Sequence, residues 1–136
     1  MTDLSIRSVP APAVADYTWV GPGSNAFDTA QSGTLQVSAL TSGTHYDAVT
    51  KVVPAGIVLS KSGNFYIPYV AGTGIKIACI TAAPLEILHE DGTLATTLIF
   101  PRLVEGPIIP ANLPVAAHRT IDDASPSVCA FSFITL

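Results

Sequence analysis

The stretch VVPAGIVLSKSGNFYIPYVAGTGIKIACI, residues 52–80, decides the fold class. Short runs of β-branched and aromatic residues alternate in it with turn residues, a pattern typical of strands in an all-β sandwich or barrel. Residues 57–61 and 65–70 predict two strands joined by a turn at residues 62–64. Pro68 has no backbone N–H to donate, so the second strand should lie at a sheet edge or a bulge.

Similar runs continue on both sides of this stretch. Asp91-Gly92 predicts a tight hairpin turn, because these residues favour the backbone conformation that such turns need. A final strand at residues 128–135 should be paired to be stable so near the chain end. Further predicted strand positions are Leu35, Val37 and Ala39, residues 48–53, Ile75, Ile77 and Cys79 on one face, Leu85, Ile87 and His89 on another, and residues 94–100.

Two segments are rich in proline and glycine, which interrupt both helices and strand ladders. The first is residues 1–33, and the second is residues 101–127, which ends in a predicted helical turn at residues 121–124. We therefore predict a mainly β protein. It consists of a small β-sandwich or barrel-like domain with short helical turns, residues 34–136, and an extended N-terminal arm, residues 1–33.

The predicted arm carries large side chains that a solvated linker would not need, which indicates a segment that docks onto a surface. The candidate contact residues are Tyr17, Trp19, Val20 and Phe27. The alternative is that this segment packs its aromatic rings onto the core of its own domain. If the arm only docks, removal of residues 1–33 should leave the domain folded.

Composition limits the partners of the chain. Only 12% of its residues are charged and 49% are hydrophobic, against about 25% charged in a typical soluble domain. Turn residues and charges interrupt every apolar run, so we expect no transmembrane helix. The net charge is −4 and the six Lys and Arg residues are dispersed, so we expect no nucleic-acid partner. The excess of apolar residues predicts burial against copies of the chain or another protein.

No motif in the sequence supports catalysis or a cofactor. His45, His89 and His118 lie on separate segments without metal-binding spacing, so no metal site is predicted. There is no GxSxG motif for a nucleophile. The carboxylates Glu86, Glu90 and Asp91 lie beside a turn, where such groups are usually solvated. Cys79 and Cys129 lack CxxC spacing and are interpreted as small hydrophobic residues. We expect no enzymatic activity and no cofactor.

The central residues, in order, resemble the head decoration proteins of tailed bacteriophages, the family of the lambda-type head protein. The similarity runs from about Val49 to Pro114. It is carried by residues 55–61, 62–66, 75–80, 91–100 and the Asn112-Leu113-Pro114 step. This chain departs from the family pattern at Pro101-Arg102, where an Arg-Gly pair is frequent.

The resemblance implies a capsid-stabilising protein that binds the outer surface of the phage head as a homotrimer. Its partner would be the major capsid protein, to which an extended arm can add backbone hydrogen bonds. Such a protein is made in the host cytoplasm and located in the virion. One alternative is a carbohydrate- or receptor-binding β-sandwich in which Tyr17, Trp19, Tyr66 and Tyr69 stack on sugars. A small barrel enzyme is the least supported class, because no cluster of convergent polar residues is evident.

Overall fold

The computed structural model describes residues 16–21, 27, 30–72 and 74–134. Within these residues the protein is mainly β, as the sequence predicts, and short 3-10 turns occur at Val37–Ala39, Pro110–Asn112 and Ala116–His118. The described helical segments are all far too short to cross a membrane. The strands are β1 (Gln31–Gln36), β2 (Val52–Val53), β3 (Val58–Ser62), β4 (Phe65–Pro68), β5 (Ile77–Thr81), β6 (Leu85–Glu86), β7 (Thr97–Leu103), β8 (Glu105–Ile108) and β9 (Ala130–Phe133).

Five strands close into a barrel in the order β1-β4-β3-β5-β7. β3 forms antiparallel pairs with β4 and β5, and β5 pairs with β7. β1 closes the barrel. It pairs with β7 from Gln31 opposite Arg102 to Gln36 opposite Thr97, and it meets β4 in parallel where Leu35 faces Tyr66. Two further sheets, β2-β6 and β8-β9, have two strands each.

The structure differs from the predicted strand pattern in three places. The chain turns into a 3-10 helix at Val37–Ala39, so the alternation that begins at Leu35 does not continue as a strand. All five residues of β5 are buried, because both faces of the strand are covered. The alternation of apolar residues in its sequence therefore does not indicate a face exposed to solvent. Pro68 ends β4 rather than lying in an edge strand. Its partner is Leu59 in β3. The pairing continues past the proline, because the Tyr69 N–H donates to the Val58 carbonyl at 2.9 Å, and a bulge lies next to Leu59 on the side where β3 pairs with β5.

The second proline-rich segment contains more strand than the sequence predicts. β7 runs through Pro101, and β8 includes Pro107. The final strand is paired, as predicted, but it lies parallel to β8 in a separate sheet and not in the barrel. The predicted helical turn at residues 121–124 is not formed. Residues 122–125 form a turn instead, closed by a hydrogen bond from the Ser125 N–H to the Asp122 carbonyl and supported by one from the Ala124 N–H to the Asp122 carboxylate.

The apolar residues form two cores. The first fills the barrel and receives a side chain from each barrel strand: Leu35, Tyr66, Leu59, Cys79 and Phe100. The second lies outside β3, β5 and β7, beneath the segments before and after the barrel. Its members are Trp19, Ala55, Val58, Tyr69, Ile77, Ile80, Ala82, Leu103, Ile108, Leu113 and Ile121, with Val20, Phe131 and Phe133 packed at its margin. Much of the apolar excess in the composition is therefore buried within the chain itself.

His118 connects two strands inside the second core region. Its Nδ1 accepts a long hydrogen bond from the Val58 N–H, at 3.4 Å, so the neutral ring carries its proton on Nε2 and donates it to the Tyr69 carbonyl at 2.9 Å. The side chain is only 2% exposed. Burial lowers the pKa of His118 and outweighs the hydrogen bond to the Tyr69 carbonyl, which raises it; His45 adds a smaller lowering effect. A second proton would place an N–H on Nδ1 facing the N–H of Val58.

This arrangement predicts a stability that falls in mild acid. The unfolded chain binds a proton at His118 near pH 6.5, whereas the folded chain resists protonation. The contribution is therefore complete above about pH 6.5 and is lost as the pH falls towards the lower folded pKa, by at most about 1.4 kcal/mol per pH unit. Urea unfolding between pH 7.5 and 5 measures it. His118→Gln should flatten the profile more than His45→Gln does, and equal slopes in all three proteins would contradict the prediction.

Candidate functional site

The segment before the barrel is docked onto the domain by backbone hydrogen bonds. The Gly21 N–H donates to the Pro107 carbonyl at 2.8 Å, and the Ile109 N–H donates to the Trp19 carbonyl at 2.6 Å. Between them Val20 forms an antiparallel bridge with Ile108. Residues 19–21 therefore lie along one side of β8 while β9 pairs along the other. The amide of Asn112 extends this contact by donating to the Thr18 carbonyl at 2.9 Å.

Trp19 is the anchor of this docked segment. Its side chain is fully buried in the second core, and its indole N–H donates to the Asp16 carbonyl at 2.8 Å. Gly56 makes room for the ring, because a Cβ at Gly56 would lie 2.9 Å from the indole nitrogen. Gly56 also has a φ of +99°, a conformation that other residues rarely adopt. The indole ring is thus fixed both by apolar burial and by a satisfied polar atom.

Tyr17 and Phe27 form an aromatic surface over this anchor. Their ring centroids lie 5.1 Å apart in an edge-to-face arrangement, and each also lies near the Trp19 ring, at 6.1 and 6.5 Å. The Tyr17 hydroxyl donates to the Ala82 carbonyl at 3.0 Å. Tyr17 is 37% exposed and Phe27 is 39% exposed. These two side chains present an apolar surface to solvent next to the buried Trp19 ring.

The structure brings all four predicted contact residues together but gives them different roles. Trp19 follows the alternative interpretation, since it packs into the core of its own domain and offers no surface to a partner. Val20 is partly buried in the bridge to β8, and Tyr17 and Phe27 remain accessible. The residues that receive the segment, Pro107, Ile108 and Asn112, are about 90 positions away. No local sequence pattern singles them out as its partners.

The boundary of the predicted arm also changes. β1 begins at Gln31, inside the predicted 1–33 arm, and residues 16–21 belong to the packed domain. Residues 1–15 and 22–26 lie outside the described part of the chain. The predicted sugar platform is not formed, because Trp19, Tyr66 and Tyr69 are each at most 7% exposed and cannot present a ring face to a ligand.

The polar side chains singled out in the sequence have structural roles where their contacts are described. The Asp91 carboxylate accepts hydrogen bonds from the N–H and hydroxyl of Thr93, which lower its pKa and keep it ionised in the turn. Both cysteines are free thiols, and burial raises the pKa of each. Among the described residues, His, Cys, Asp and Glu side chains do not gather in a group of three or more that could hold a metal ion.

A cleft of about 430 Å³ lies beside the docked segment, lined among others by Asp16, His45, Tyr46 and Asp47. Its polar groups are largely engaged in local structure. The Asp47 carboxylate accepts from the N–H groups of Val49 and Thr50, which lower its pKa, and the His45 Nδ1 accepts from the Thr41 N–H. These described contacts do not assemble a nucleophile with a general base.

Replacing the anchor should cost much more stability than replacing the residues above it. We expect Trp19→Ala to lower the free energy of unfolding by about 3–5 kcal/mol, because it removes a fully buried aromatic ring and leaves a cavity. Tyr17→Ala and Phe27→Ala should each cost less, because both rings remain over one third exposed. Urea unfolding measures the three values. A loss for Trp19→Ala no larger than that for Phe27→Ala would contradict the assignment of Trp19 as the anchor.

Truncation tests the revised boundary. A chain lacking residues 1–15 keeps Trp19, Val20 and β1, and it should show the same cooperative unfolding as the full chain. A chain lacking residues 1–33 also loses half of β1, the strand that closes the barrel, and should be unfolded or strongly destabilised. Circular dichroism and thermal melts distinguish these outcomes. A stably folded product of the longer deletion would restore the boundary predicted from the sequence.

Comparison with known proteins adds no relative to this description. The chain matches no protein-family model, no curated protein and no solved structure. A function for it has to be inferred from its residues and contacts, together with the resemblance carried by its central strands.

Proposed function

We propose that this chain is a capsid decoration protein of a tailed bacteriophage, which binds the outer surface of the head as a homotrimer and stabilises the shell. Its partner is the major capsid protein, and its location is the virion after synthesis in the host cytoplasm. The observation that carries the proposal is the docked segment at residues 16–21. It holds residues 19–21 against β8 by backbone hydrogen bonds, and the exposed rings of Tyr17 and Phe27 lie beside it.

A binding role is consistent with where the polar and apolar groups lie. The described histidines, cysteines and Asp91 are engaged in packing or turns, which favours a surface-fitting protein over an enzyme. Apolar side chains remain exposed outside the two cores, as expected for a protein that covers them with a partner. Beyond Tyr17 and Phe27 they include Val49, Phe65, Ile75, Leu94, Ile99 and Val128.

The residues that resemble the decoration family also have related positions in the fold. Residues 55–61 lead into and form most of β3, residues 75–80 lead into β5, and residues 98–100 lie in β7. These are three adjacent strands of the barrel. These pieces of the resemblance therefore lie side by side in the barrel, whereas the Asn112-Leu113-Pro114 step lies outside it, in the region of the second core.

An anchored segment suits the task of bracing a shell. An extended peptide that adds to a sheet on another protein gains affinity through main-chain hydrogen bonds. That gain is transmitted to the domain only if the peptide is firmly attached to it, and the buried Trp19 with its backbone bonds to β8 supplies this attachment. Three such arms in one trimer would bind with a high effective local concentration.

Co-sedimentation tests the proposal. Purified full-length chain should pellet with expanded capsids assembled from the major capsid protein of the same phage genome, and should raise their melting temperature. The chain without residues 1–15 should remain folded and bind at least about tenfold more weakly. Tyr17→Ala with Phe27→Ala should also weaken binding. Failure of the full-length chain to bind capsids would refute the proposed function.

A further inference from the structure

A surface pocket on the barrel is lined by half of the basic residues of this acidic protein. Its volume is about 390 Å³, and its lining includes Lys61, Lys76 and Arg102, three of the six Lys and Arg residues of the chain. None of the described lining residues is acidic. Apolar side chains complete the lining: Tyr66, Ile75, Ala78 and Val128. In a chain with a net charge of −4, this concentration of cations marks a place for a negatively charged partner.

Arg102 is held in place at this pocket. Its guanidinium lies 5.5 Å from the centre of the Tyr66 ring, its Nε–H donates to the Ser32 carbonyl, and one Nη donates to the Gln31 side chain. Gly33 makes this arrangement possible, because a Cβ there would lie 2.9 Å from Tyr66 and 3.1 Å from the Arg102 side chain. A guanidinium has five N–H donors, so these two hydrogen bonds leave donors for a carboxylate. Lys61 and Lys76 are exposed and add two mobile charges.

A fixed acidic turn lies on a different segment of the chain from the pocket lining. Glu90 and Asp91 are exposed in a turn closed by hydrogen bonds from the His89 N–H to the Thr93 carbonyl and from the Gly92 N–H to the His89 carbonyl. The chain runs from this turn into β7 at Thr97 and reaches Arg102 only five residues later, about 17 Å along an extended strand. The turn shares no residue with the lining of the pocket. Beside the turn, Leu94 is 45% exposed.

We propose that the cationic pocket of one copy receives the Glu90-Asp91 turn of a second copy. The contact is head-to-tail, because the two surfaces differ, and head-to-tail contacts generate a closed ring when the rotation between copies permits it. The exposed Leu94 beside the turn and the Ile75 and Val128 side chains at the pocket add apolar contact to the charge pairing. This inference rests on the proposed function in one respect: the ring is identified with the trimer that binds the capsid.

Charge reversal followed by charge exchange tests the contact. Lys61→Glu with Lys76→Glu reverses the pocket, and Glu90→Lys with Asp91→Asn reverses the turn while keeping a side-chain oxygen for Thr93. In sedimentation velocity at 50 mM salt, each pair should raise the dissociation constant of the oligomer by at least about tenfold. The protein carrying all four substitutions should regain most of the lost association, because the two surfaces are again opposite in charge. Association of the wild type should weaken at 500 mM salt.

Matched controls use charges elsewhere on the chain. Lys51→Glu changes the net charge by −2 and Glu105→Lys by +2, in the same directions as the pocket and turn reversals, which change it by −4 and +3. Neither residue lines the pocket or belongs to the turn, so both variants should leave association unchanged. A monomeric wild type, or an oligomer unaffected by the reversals, would overturn the inference. The inference would also be overturned if the pocket variant lost capsid binding but kept its oligomeric state. In that case the pocket would contact an acidic segment of the capsid and not a second copy of the chain. Capsid binding by the wild type is measured separately, so the proposed function can stand if this contact fails.

Discussion

Closure of the barrel by β1 is the constraint on which the rest of the structure depends. β1 pairs along six residues with β7 and meets β4 on its other side, so it removes two strand edges at once. The close approach at Gly33 allows Tyr66 and Phe100 to pack against β1. Without this strand the first core would be open, and β7 would lose the support that positions Arg102 on one side and Leu103 in the second core on the other.

The sequence predicted the fold class because its signals there are local. Alternation, Asp91-Gly92 and the turn at residues 62–64 each depend on neighbouring residues only, and the mainly β architecture follows from them. Contacts across long separations were not predictable in this way. The parallel pairing of β8 with β9 and the burial of Trp19 against residues near Ile108 depend on where the closed barrel brings distant segments together. The prolines led to a wrong prediction for residues 101–108. Proline is excluded only from strand positions whose backbone N–H must donate a hydrogen bond, and a strand can include it elsewhere.

The candidate site was predictable in its residues and less so in their roles. Large apolar side chains in a proline- and glycine-rich segment predicted contact roles for Tyr17, Trp19, Val20 and Phe27, and the structure shows that these residues lie close together. Whether a given ring is an internal anchor or an external contact depends on space in the receiving domain. Gly56 and the apolar groups around β8 create that space. These residues are far from Trp19 in the sequence, so the sequence alone does not show that they surround it. The apolar composition likewise allows two interpretations, burial against a partner or burial within the chain. The second core beside the barrel buries many of these residues within the chain.

The ribbon formed by residues 19–21, β8 and β9 has a topological consequence. Gly21 and Ile134 lie side by side, since a Cβ on Gly21 would come within 2.9 Å of the Ile134 side chain. A segment near the start of the described chain and a segment at its end therefore lie next to each other, both paired with β8. Both end segments are held by the same strand through backbone bonds to Pro107, Ile108 and Ile109. Displacing β8 would break the backbone pairing of residues 19–21 and of β9 at the same time. The docking of Trp19 and the pairing of the last strand therefore depend on each other.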